Sequence, residues 1–454
     1  MTIPEPPLSR QASAYALGSQ YGRAYLETLS DRSVLAEKSD LDALNLALPD
    51  QGVSAETILE LMNRVGSPGT MASAAGRYFG YVIGGSLPAA SGARTLLSAW
   101  DQTANSDTGP SVIKLEEIAI RWAIDLLDLP TESTGAFTTG ATMANMTLLM
   151  TARDRQLDRL GHPRGKGLIG APALRVIASA EIHATVLKSL RMIGLGSDAI
   201  EFVPVDDQGR MRADQMPDLD PSCLVLAQAG NVCTGSFDPF DALADQCQAA
   251  GAWLHVDGAF GLWARASSQL APALVGLQRA DSWVVDAHKT LNAPYDSGLA
   301  LCRHPDELRA SMAIGAGYLP KTDPTPSDLA PEFSRAARGA ETWAALLSLG
   351  RQGLDDMVTR FHHQAASIVP RLEALGFDVP HQVHFNQVFV TRPGEDALCA
   401  KVVKHVQQSG EAWFGAATWQ GQNGFRISLS NWATQDQDLD RLIGALETAL
   451  GDLA

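Results

Sequence analysis

The chain has 454 residues with 35 basic and 51 acidic side chains, which gives a formal net charge of −16 at pH 7. This length allows two or three domains of about 100–200 residues. The acidic balance disfavours nucleic-acid partners, because binding a phosphate backbone requires concentrated Lys and Arg. Hydrophobic residues make up 45% of the chain, which excludes disorder, and no apolar run approaches the ~18 residues of a membrane helix.

The amino terminus and the cysteines indicate a cytoplasmic protein. The first 15 residues lack a basic start followed by an apolar stretch, so we expect no secretion signal. The five cysteines are odd in number and show no close pair spacing, which favours free thiols in a reducing compartment over a disulfide framework. They are Cys223, Cys233, Cys247, Cys302 and Cys399.

Helical patterns dominate the first third of the chain. Residues 1–75 alternate short amphipathic patterns with loops, which predicts an arm or helical layer packed on a larger body. Apolar residues recur at helical spacing over 115–129, and Pro130 follows the end of that pattern. A second helix is predicted over 142–160.

Short apolar runs between residues 175 and 302 predict buried strands. They are continuous rather than alternating, as expected for strands that are buried on both faces of a parallel sheet. The segments between them, such as 241–251, are long enough to be crossover helices. This alternation predicts an α/β doubly wound core. The runs are residues 175–178, 200–203, 223–227, 253–256, 282–285 and 299–302.

The last third of the chain predicts a loop followed by a smaller domain. Residues 314–331 are proline-rich and poorly periodic, which indicates a mobile loop, and a strong helical pattern resumes over 335–354. From about residue 370 the order helix, strand, helix, two strand-like runs, helix then predicts a small α+β domain, with strand-like runs at 385–391 and 425–429 and a helix over 436–450. The predicted units are a helical arm (1–75), a large α/β domain (76–365) and a small α+β domain (366–454).

An acid and a lysine follow two of the predicted strands. Asp257 comes after the run at 253–256, and Lys289 lies about one βαβ unit further on. Ligands bind at the carboxyl ends of strands in open α/β sheets. The chain has only eight lysines, so a lysine at a strand end is not placed like a solubilising surface charge.

Asp257 and Lys289 together suit pyridoxal phosphate. The aldehyde of this cofactor forms a Schiff base with a lysine, and an acid keeps its pyridine nitrogen protonated. Taken singly, each residue has an ordinary explanation, as a capping Asp and as an exposed Lys. Taken jointly, the two favour the cofactor.

Two further features suit the same cofactor. Gly140 precedes the helix predicted over 142–160, and backbone N–H groups with the Thr142 hydroxyl at the positive helix end can hold a phosphate. The same pattern also occurs as a simple helix cap. His183 follows the strand predicted at 175–178, a position that favours stacking on a ring over a purely structural role.

On these residues the chain resembles the group II pyridoxal-phosphate-dependent amino-acid decarboxylases, the family of the aromatic amino-acid, glutamate and cysteine-sulfinate decarboxylases. The resemblance runs from about Arg77 to Arg426. It implies the fold type I architecture, with a mainly parallel mixed sheet in the large domain, and a homodimer with its active sites at the subunit interface. The most specific motifs are residues 234–239, His255-Val-Asp257, Asp286-Ala-His288-Lys289, and Trp343 with 350–354.

The resemblance also implies a role for each site residue, with pyridoxal 5'-phosphate as the cofactor and no metal. Lys289 would form the Schiff base, Asp257 would pair with the pyridine nitrogen, Ala259 would pack under the ring, and His183 would stack over its other face. Asn231 falls near a position where many relatives carry a threonine that faces the cofactor. The implied phosphate contacts come from Gly140, Ala141, Thr142 and His288.

The implied reaction is decarboxylation of an L-amino acid to an amine and carbon dioxide, with two departures from the family pattern, the first at the proton donor. Decarboxylases of the family usually carry a loop tyrosine that protonates Cα, and the matching position here falls in 325–327, which has no tyrosine. Tyr318 is the nearest substitute, and an ordinary loop role is equally compatible. An aldehyde synthase, an aminotransferase and a carbon–carbon lyase therefore remain alternatives, as does a non-catalytic relative.

The predicted substrate pocket departs from that of the animal aromatic decarboxylases, which carry a Tyr-Phe-Pro-Thr stretch. The matching residues here are 82–85, of which Val82, Ile83 and Gly84 are the predicted substrate contacts. This change removes aromatic stacking, so a basic, acidic or sulfur-containing substrate is compatible. Arg426 is the candidate to hold a carboxylate, and a buried structural ion pair is its alternative role.

Overall fold

The predicted apolar runs form strands in the computed structural model, which describes residues 7–38, 40–314 and 326–453. The strands are β1 (Thr134–Thr138), β2 (Arg175–Ser179), β3 (Glu201–Val203), β4 (Cys223–Gln228), β5 (Trp253–Asp257), β6 (Ser282–Asp286), β7 (Gly298–Cys302), β8 (Gln387–Val390), β9 (Gly415–Trp419) and β10 (Gln422–Ser428). The helices are α1 (Pro7–Glu27), α2 (Ala55–Leu61), α3 (Pro88–Trp100), α4 (Pro110–Leu126), α5 (Ala141–Arg159), α6 (Ala184–Met192), α7 (Phe240–Ala250), α8 (Pro305–Met312), α9 (Gly339–Ala374), α10 (Asp396–Ser409) and α11 (Asp436–Leu453). Within the described residues, no helix combines the length and apolar composition that a membrane crossing requires.

The large sheet is mixed and mainly parallel, in the order β1-β7-β6-β5-β4-β2-β3. Strands β2 to β6 pair in parallel, whereas β7 runs antiparallel to both β6 and β1. The predicted α/β class and the six predicted strands are confirmed. The direction of β7 was not predicted, because a continuous apolar run reports burial and carries no information on strand direction.

Burial on both sides explains why these strands are apolar throughout. Along β4, Cys223, Val225 and Ala227 pack into one hydrophobic cluster, while Leu224 and Leu226 pack into the cluster on the other face. Successive side chains of a strand point to opposite faces, so a strand covered on both sides requires an apolar residue at every position.

The small sheet has the antiparallel order β8-β10-β9 and packs its own core. That core takes residues from the second half of α9, beginning at Ala365. The helix is broken at Gly350, where φ is 61°. The predicted boundary between 365 and 366 falls inside α9.

Arg77 joins the amino-terminal arm to the small sheet. Its side chain is 1% exposed, and its guanidinium donates to the carbonyl oxygens of Arg32 (2.7 Å), Gly410 (3.3 Å) and Glu411. A buried guanidinium needs several acceptors to offset its lost hydration. These carbonyls meet that need and hold the residues after α1 in place.

A buried ion pair fastens α4 to the segment before α9. Arg335 donates to both carboxylate oxygens of Glu116 at 2.8 and 2.9 Å, and both side chains are 2% exposed. The Gly339 N–H at the start of α9 also donates to Glu116 (3.0 Å). The Glu116 carboxylate therefore holds the segment before α9 and the first residue of α9 against α4.

We predict that Arg335→Met lowers the free energy of unfolding by about 3–5 kcal/mol, because it leaves the Glu116 carboxylate buried without its partner. Chemical denaturation measures this loss. Lys114→Met is the matched control on the same helix, since the pair of Lys114 with Glu117 is exposed and should contribute at most about 1 kcal/mol. Equal, small losses in the two variants would contradict the prediction.

Candidate active site

A cavity of about 680 Å³ lies at the carboxyl ends of β4, β5 and β6, where Gln228, Asp257 and Asp286 end their strands. Strands β9 and β10 of the small sheet form its opposite wall. The cavity is at the edge of the sheet where ligands are expected. The predicted site residues that line it are Val82, Gly140, Ala141, Thr142, His183, Asp257, Ala259, His288, Lys289 and Arg426.

Other predicted site residues lie elsewhere. Asn231 is buried outside the lining, and its amide donates to Glu181 Oε2 (2.6 Å) and to the Gly209 carbonyl (3.2 Å), which makes it a loop-bracing residue. Ile83 and Gly84 also fall outside the lining. A Cβ at Gly84 would lie 2.5 Å from the Lys289 carbonyl oxygen, so this glycine packs on the backbone of the lysine turn. Tyr318 lies outside the described residues.

Asp286 connects the lysine to the turn before α5. The Lys289 ammonium lies 3.1 Å from Asp286 Oδ2, and Asp286 Oδ1 accepts the Ala141 N–H at 2.7 Å. The Asp286 side chain is 2% exposed. Asp286 lies in one of the motifs that carry the family resemblance, but no site role was predicted for it. Its position directly after an apolar run, like that of Asp257, was the available signal.

The turn at Gly140 forms a cradle that only glycine can line. Its φ is +150°, and a Cβ there would lie 3.1 Å from His288 Cε1. The His288 ring stacks on Tyr295 at 4.3 Å, and its Nδ1 accepts the Ser297 N–H at 3.1 Å. Burial lowers the pKa of His288, which keeps the ring neutral with its proton on Nε2. The cradle and the α5 N-terminus suit a phosphate.

Asp257 and His183 both line the cavity. Asp257 Oδ1 accepts the Ala259 N–H at 3.1 Å, and Oδ2 accepts the Asn145 amide at 3.2 Å. His183 caps α6, because its Nδ1 accepts the Thr185 N–H at 3.2 Å. Partial burial lowers the pKa of His183, so its ring is neutral at pH 7 with the proton on Nε2. These residues therefore offer an ionised acceptor and a neutral donor.

Aromatic side chains form a wall that the sequence analysis missed. Tyr81 lines the cavity with its ring 5.1 Å from that of Trp413, which stacks on Tyr78 at 4.9 Å. Residues 82–85 bring no ring, as predicted, but the adjacent Tyr81 and Trp413, which lies just before β9, supply aromatic surface. No local sequence signal joins two residues so far apart in the chain.

Arg426 reaches the cavity from β10. Its Nη1 donates to the Val232 carbonyl at 2.7 Å, and burial lowers its pKa from the usual value. The ion pairs formed within the described residues do not include Arg426. The alternative of a buried structural ion pair is therefore not what the structure shows, and the guanidinium is left facing the cavity.

Comparison with known proteins agrees with this geometry. Residues 38–390 match a family model described as "Pyridoxal-dependent decarboxylase conserved domain". The chain belongs to this family. Its cofactor is accordingly pyridoxal phosphate, and it is a carboxy-lyase that acts on amino acids.

Similar curated proteins carry different substrates in their names. An L-2,4-diaminobutyrate decarboxylase from Rhizobium meliloti (strain 1021) is 29% identical over 386 residues, which cover 79% of this chain and 74% of the relative. A cysteine sulfinic acid decarboxylase from Rattus norvegicus is 29% identical over 450 residues, which cover 90% of this chain and 89% of the relative. The family is thus shared, while the substrate differs among its members.

Solved structures share the fold. The crystal structure of Oryza sativa TDC with PLP and tryptamine superposes with a TM-score of 0.91 at 19% identity, covering all of both chains. Mouse CSAD superposes with a TM-score of 0.87 at 23% identity, covering 96% of this chain and 99% of the other. The fold type I architecture implied by the sequence is confirmed.

We predict that Gly140→Ala weakens cofactor binding by about tenfold or more, since the new Cβ would contact His288 in the cradle and occupy a strained φ. Titration of the cofactor-free protein with pyridoxal phosphate, followed by absorbance, measures the affinity. Gly161→Ala is the matched control after the other end of α5, because its φ is also positive (+81°) but a Cβ there meets no atom within 4 Å. Equal effects of the two substitutions would contradict a specific role for the cradle.

Proposed function

We propose that this protein decarboxylates an L-amino acid whose carboxylate binds Arg426 and whose side chain lies against Tyr81 and Trp413. The observation that carries the proposal is the buried Arg426 guanidinium, which faces the same cavity as Lys289. Among the described lining residues, Arg426 supplies the one guanidinium. A charged donor in a buried site binds a carboxylate more strongly than a neutral donor does.

The residues around the cavity fit pyridoxal phosphate. The turn at 139–142 and His288 would hold the phosphate, and Asp257 would accept the pyridinium N–H. His183 and Ala259 would contact the two faces of the ring, and Lys289 would supply the amine that attaches the cofactor. When bound, the cofactor provides an electron sink for the electron pair left on Cα as carbon dioxide departs.

Side chains of the protein orient the substrate and hold or transfer protons. Arg426 anchors the carboxylate, and the walls of the cavity exclude bulk water from it. The Asp286 carboxylate holds the Lys289 ammonium, and His183 keeps a proton on Nε2. His183 can therefore position the substrate or protonate Cα. Tyr318 remains the sequence-based candidate for the same proton transfer.

The aromatic wall favours a cationic or aromatic substrate side chain. Rings bind cations through their faces and stack on other rings. An acidic side chain would require a second cation, and the described lining offers only Lys289, which the cofactor uses. The cationic substrate in the name of the diaminobutyrate decarboxylase agrees with this preference.

We predict that a panel of L-2,4-diaminobutyrate, L-tryptophan, L-glutamate and L-cysteine sulfinate gives amine and carbon dioxide from the first or second compound. Arg426→Met should lower kcat/KM by about 100-fold, because a charged hydrogen bond to the carboxylate is lost, while the cofactor absorbance persists. Arg360→Met is the control, since Arg360 likewise donates to backbone carbonyls but lies outside the lining.

The products distinguish this proposal from its competitors. Aldehyde with ammonia from every amino acid would indicate an aldehyde synthase, and a keto acid without carbon dioxide would indicate an aminotransferase. Preferred turnover of L-glutamate or L-cysteine sulfinate would overturn the proposed substrate class. Unchanged kcat/KM in Arg426→Met would overturn the proposed role of the guanidinium.

We further propose that the protein is a cytoplasmic homodimer with the amino-terminal arm at the interface. Exposed leucines in and around the arm support this, notably Leu26 (56% exposed), Leu46 (67%) and Leu48 (95%). An apolar cleft of about 1850 Å³ lies between α1, α2 and the large body. Buried free cysteines support a reducing compartment.

Sedimentation at micromolar concentration should give a mass of two chains. The double substitution Leu46→Asp with Leu48→Asp should shift the protein toward monomer and lower its activity, because charges in an apolar interface cost several kcal/mol. Ile169→Asp is the control, since Ile169 is 95% exposed and lies far from the arm in the sequence. A wild-type monomer would contradict the proposal.

A further inference from the structure

A fully buried chain of hydrogen bonds runs behind Asp257. The Asn145 amide donates to Asp257 Oδ2 (3.2 Å), and Asn145 Oδ1 lies 2.7 Å from His255 Nε2. His255 Nδ1 lies 2.8 Å from Ser282 Oγ, which accepts the Trp253 indole N–H at 2.9 Å. Each of the four side chains behind the carboxylate is at most 1% exposed.

The fold brings these side chains together for simple geometric reasons. Trp253, His255 and Asp257 alternate along β5 and so share one face of the sheet. Ser282, the first residue of β6, is the register partner of His255. Asn145 lies in the first turns of α5, close to the cradle at its N-terminus. This chain of hydrogen bonds thus links Asp257 with α5, the helix whose N-terminus suits the phosphate.

The two ends determine the direction of every bond. An indole N–H only donates, so Ser282 Oγ accepts from Trp253. The Ser282 hydroxyl can then donate its O–H to His255 Nδ1. An ionised carboxylate only accepts, so Asn145 must turn its NH₂ to Asp257 and its oxygen to His255 Nε2–H. Burial lowers the pKa of His255 to about 4, so the neutral ring accepts at Nδ1 and donates at Nε2.

All the donors therefore point toward Asp257. The opposite orientation of Asn145 would place its oxygen against the carboxylate, and the His255 ring would then donate to a hydroxyl that already accepts from the indole. Asp257 receives one protein donor on each oxygen, from Asn145 and from the Ala259 N–H. Hydrogen bonds to the charged form of an acid stabilise that form.

We propose that Asn145 and His255 are positioning residues that hold the Asp257 carboxylate aimed at the pyridine nitrogen of the cofactor. This inference rests on the cofactor role of Asp257 in the proposed function. It assigns no contact between these two residues and the cofactor or substrate. Their effect passes entirely through the Asp257 carboxylate, which alone of the three lines the cavity.

The test uses variants that keep volume and change hydrogen bonding. His255→Leu removes the donor to Asn145, whereas His255→Gln retains a donor near the position of Nε2. Asn145→Asp replaces the NH₂ by an oxygen and sets a second carboxylate against Asp257. Thr151→Val on the same helix is the control, since Thr151 is equally buried but donates only to the Thr147 carbonyl.

We expect Asn145→Asp and His255→Leu to weaken pyridoxal phosphate binding about tenfold or more and to shift the absorbance maximum of the bound cofactor. Their kcat should fall with little change in KM. His255→Gln should restore affinity and spectrum to within about threefold of wild type. Thr151→Val should match wild type in all these measurements.

Wild-type affinity and spectrum in both Asn145→Asp and His255→Leu would overturn the inference, as would a loss in His255→Gln equal to that in His255→Leu. If His255→Leu fails to fold by circular dichroism, Asn145→Asp and Ser282→Ala decide by the same measurements. Absorbance and affinity need no substrate. A wild type that binds the cofactor without decarboxylating any amino acid would overturn the proposed function while leaving this test intact.

Discussion

The buried carboxylate of Asp286 is the contact on which the arrangement of the site depends. An ionised carboxylate that is 2% exposed needs strong partners, and it finds them in the Lys289 ammonium and the Ala141 N–H. These partners come from the turn after β6 and from the N-terminus of α5. The Asp286 carboxylate therefore holds Lys289 and the turn at Gly140 close to each other, although they lie far apart in the sequence.

The two sheets contribute opposite walls of the cavity. The large sheet contributes Asp257 and, in the turn after β6, Lys289, whereas Arg426 comes from β10 of the small sheet and Trp413 from the residues just before β9. Hydrogen bonds hold the two halves together, including those from the Trp419 indole to the Glu181 carboxylate at 2.9 and 3.0 Å. Under the proposed function, substitutions in the small sheet would change the substrate while leaving the cofactor residues in place, which agrees with the different substrates named for the relatives.

Much of the fold was predictable because buried strands require apolar residues, and these form continuous runs in the local sequence. The strands that end at Asp257 and Asp286 were found from continuous apolar runs, and polar residues after those runs located the site. Strand β1 was missed, since residues such as Gly135 and Ala136 are small and carry little strand signal. Asn231 was predicted from its nearness in sequence to family positions, which does not report the direction of its side chain, and the structure directs its amide toward Glu181.

The sequence by itself determined the fold class and the cofactor and predicted the acid and the lysine that would serve it, because these follow from hydrophobic periodicity and from rare residues at strand ends. Only the tertiary structure decided which distant groups meet there. It placed Tyr81 beside Trp413, freed Arg426 from any ion pair within the described residues, and set Asn145 behind Asp257. Side-chain contacts between elements depend on packing and on complete hydrogen bonding in the interior, and neither leaves a periodic pattern in a single sequence.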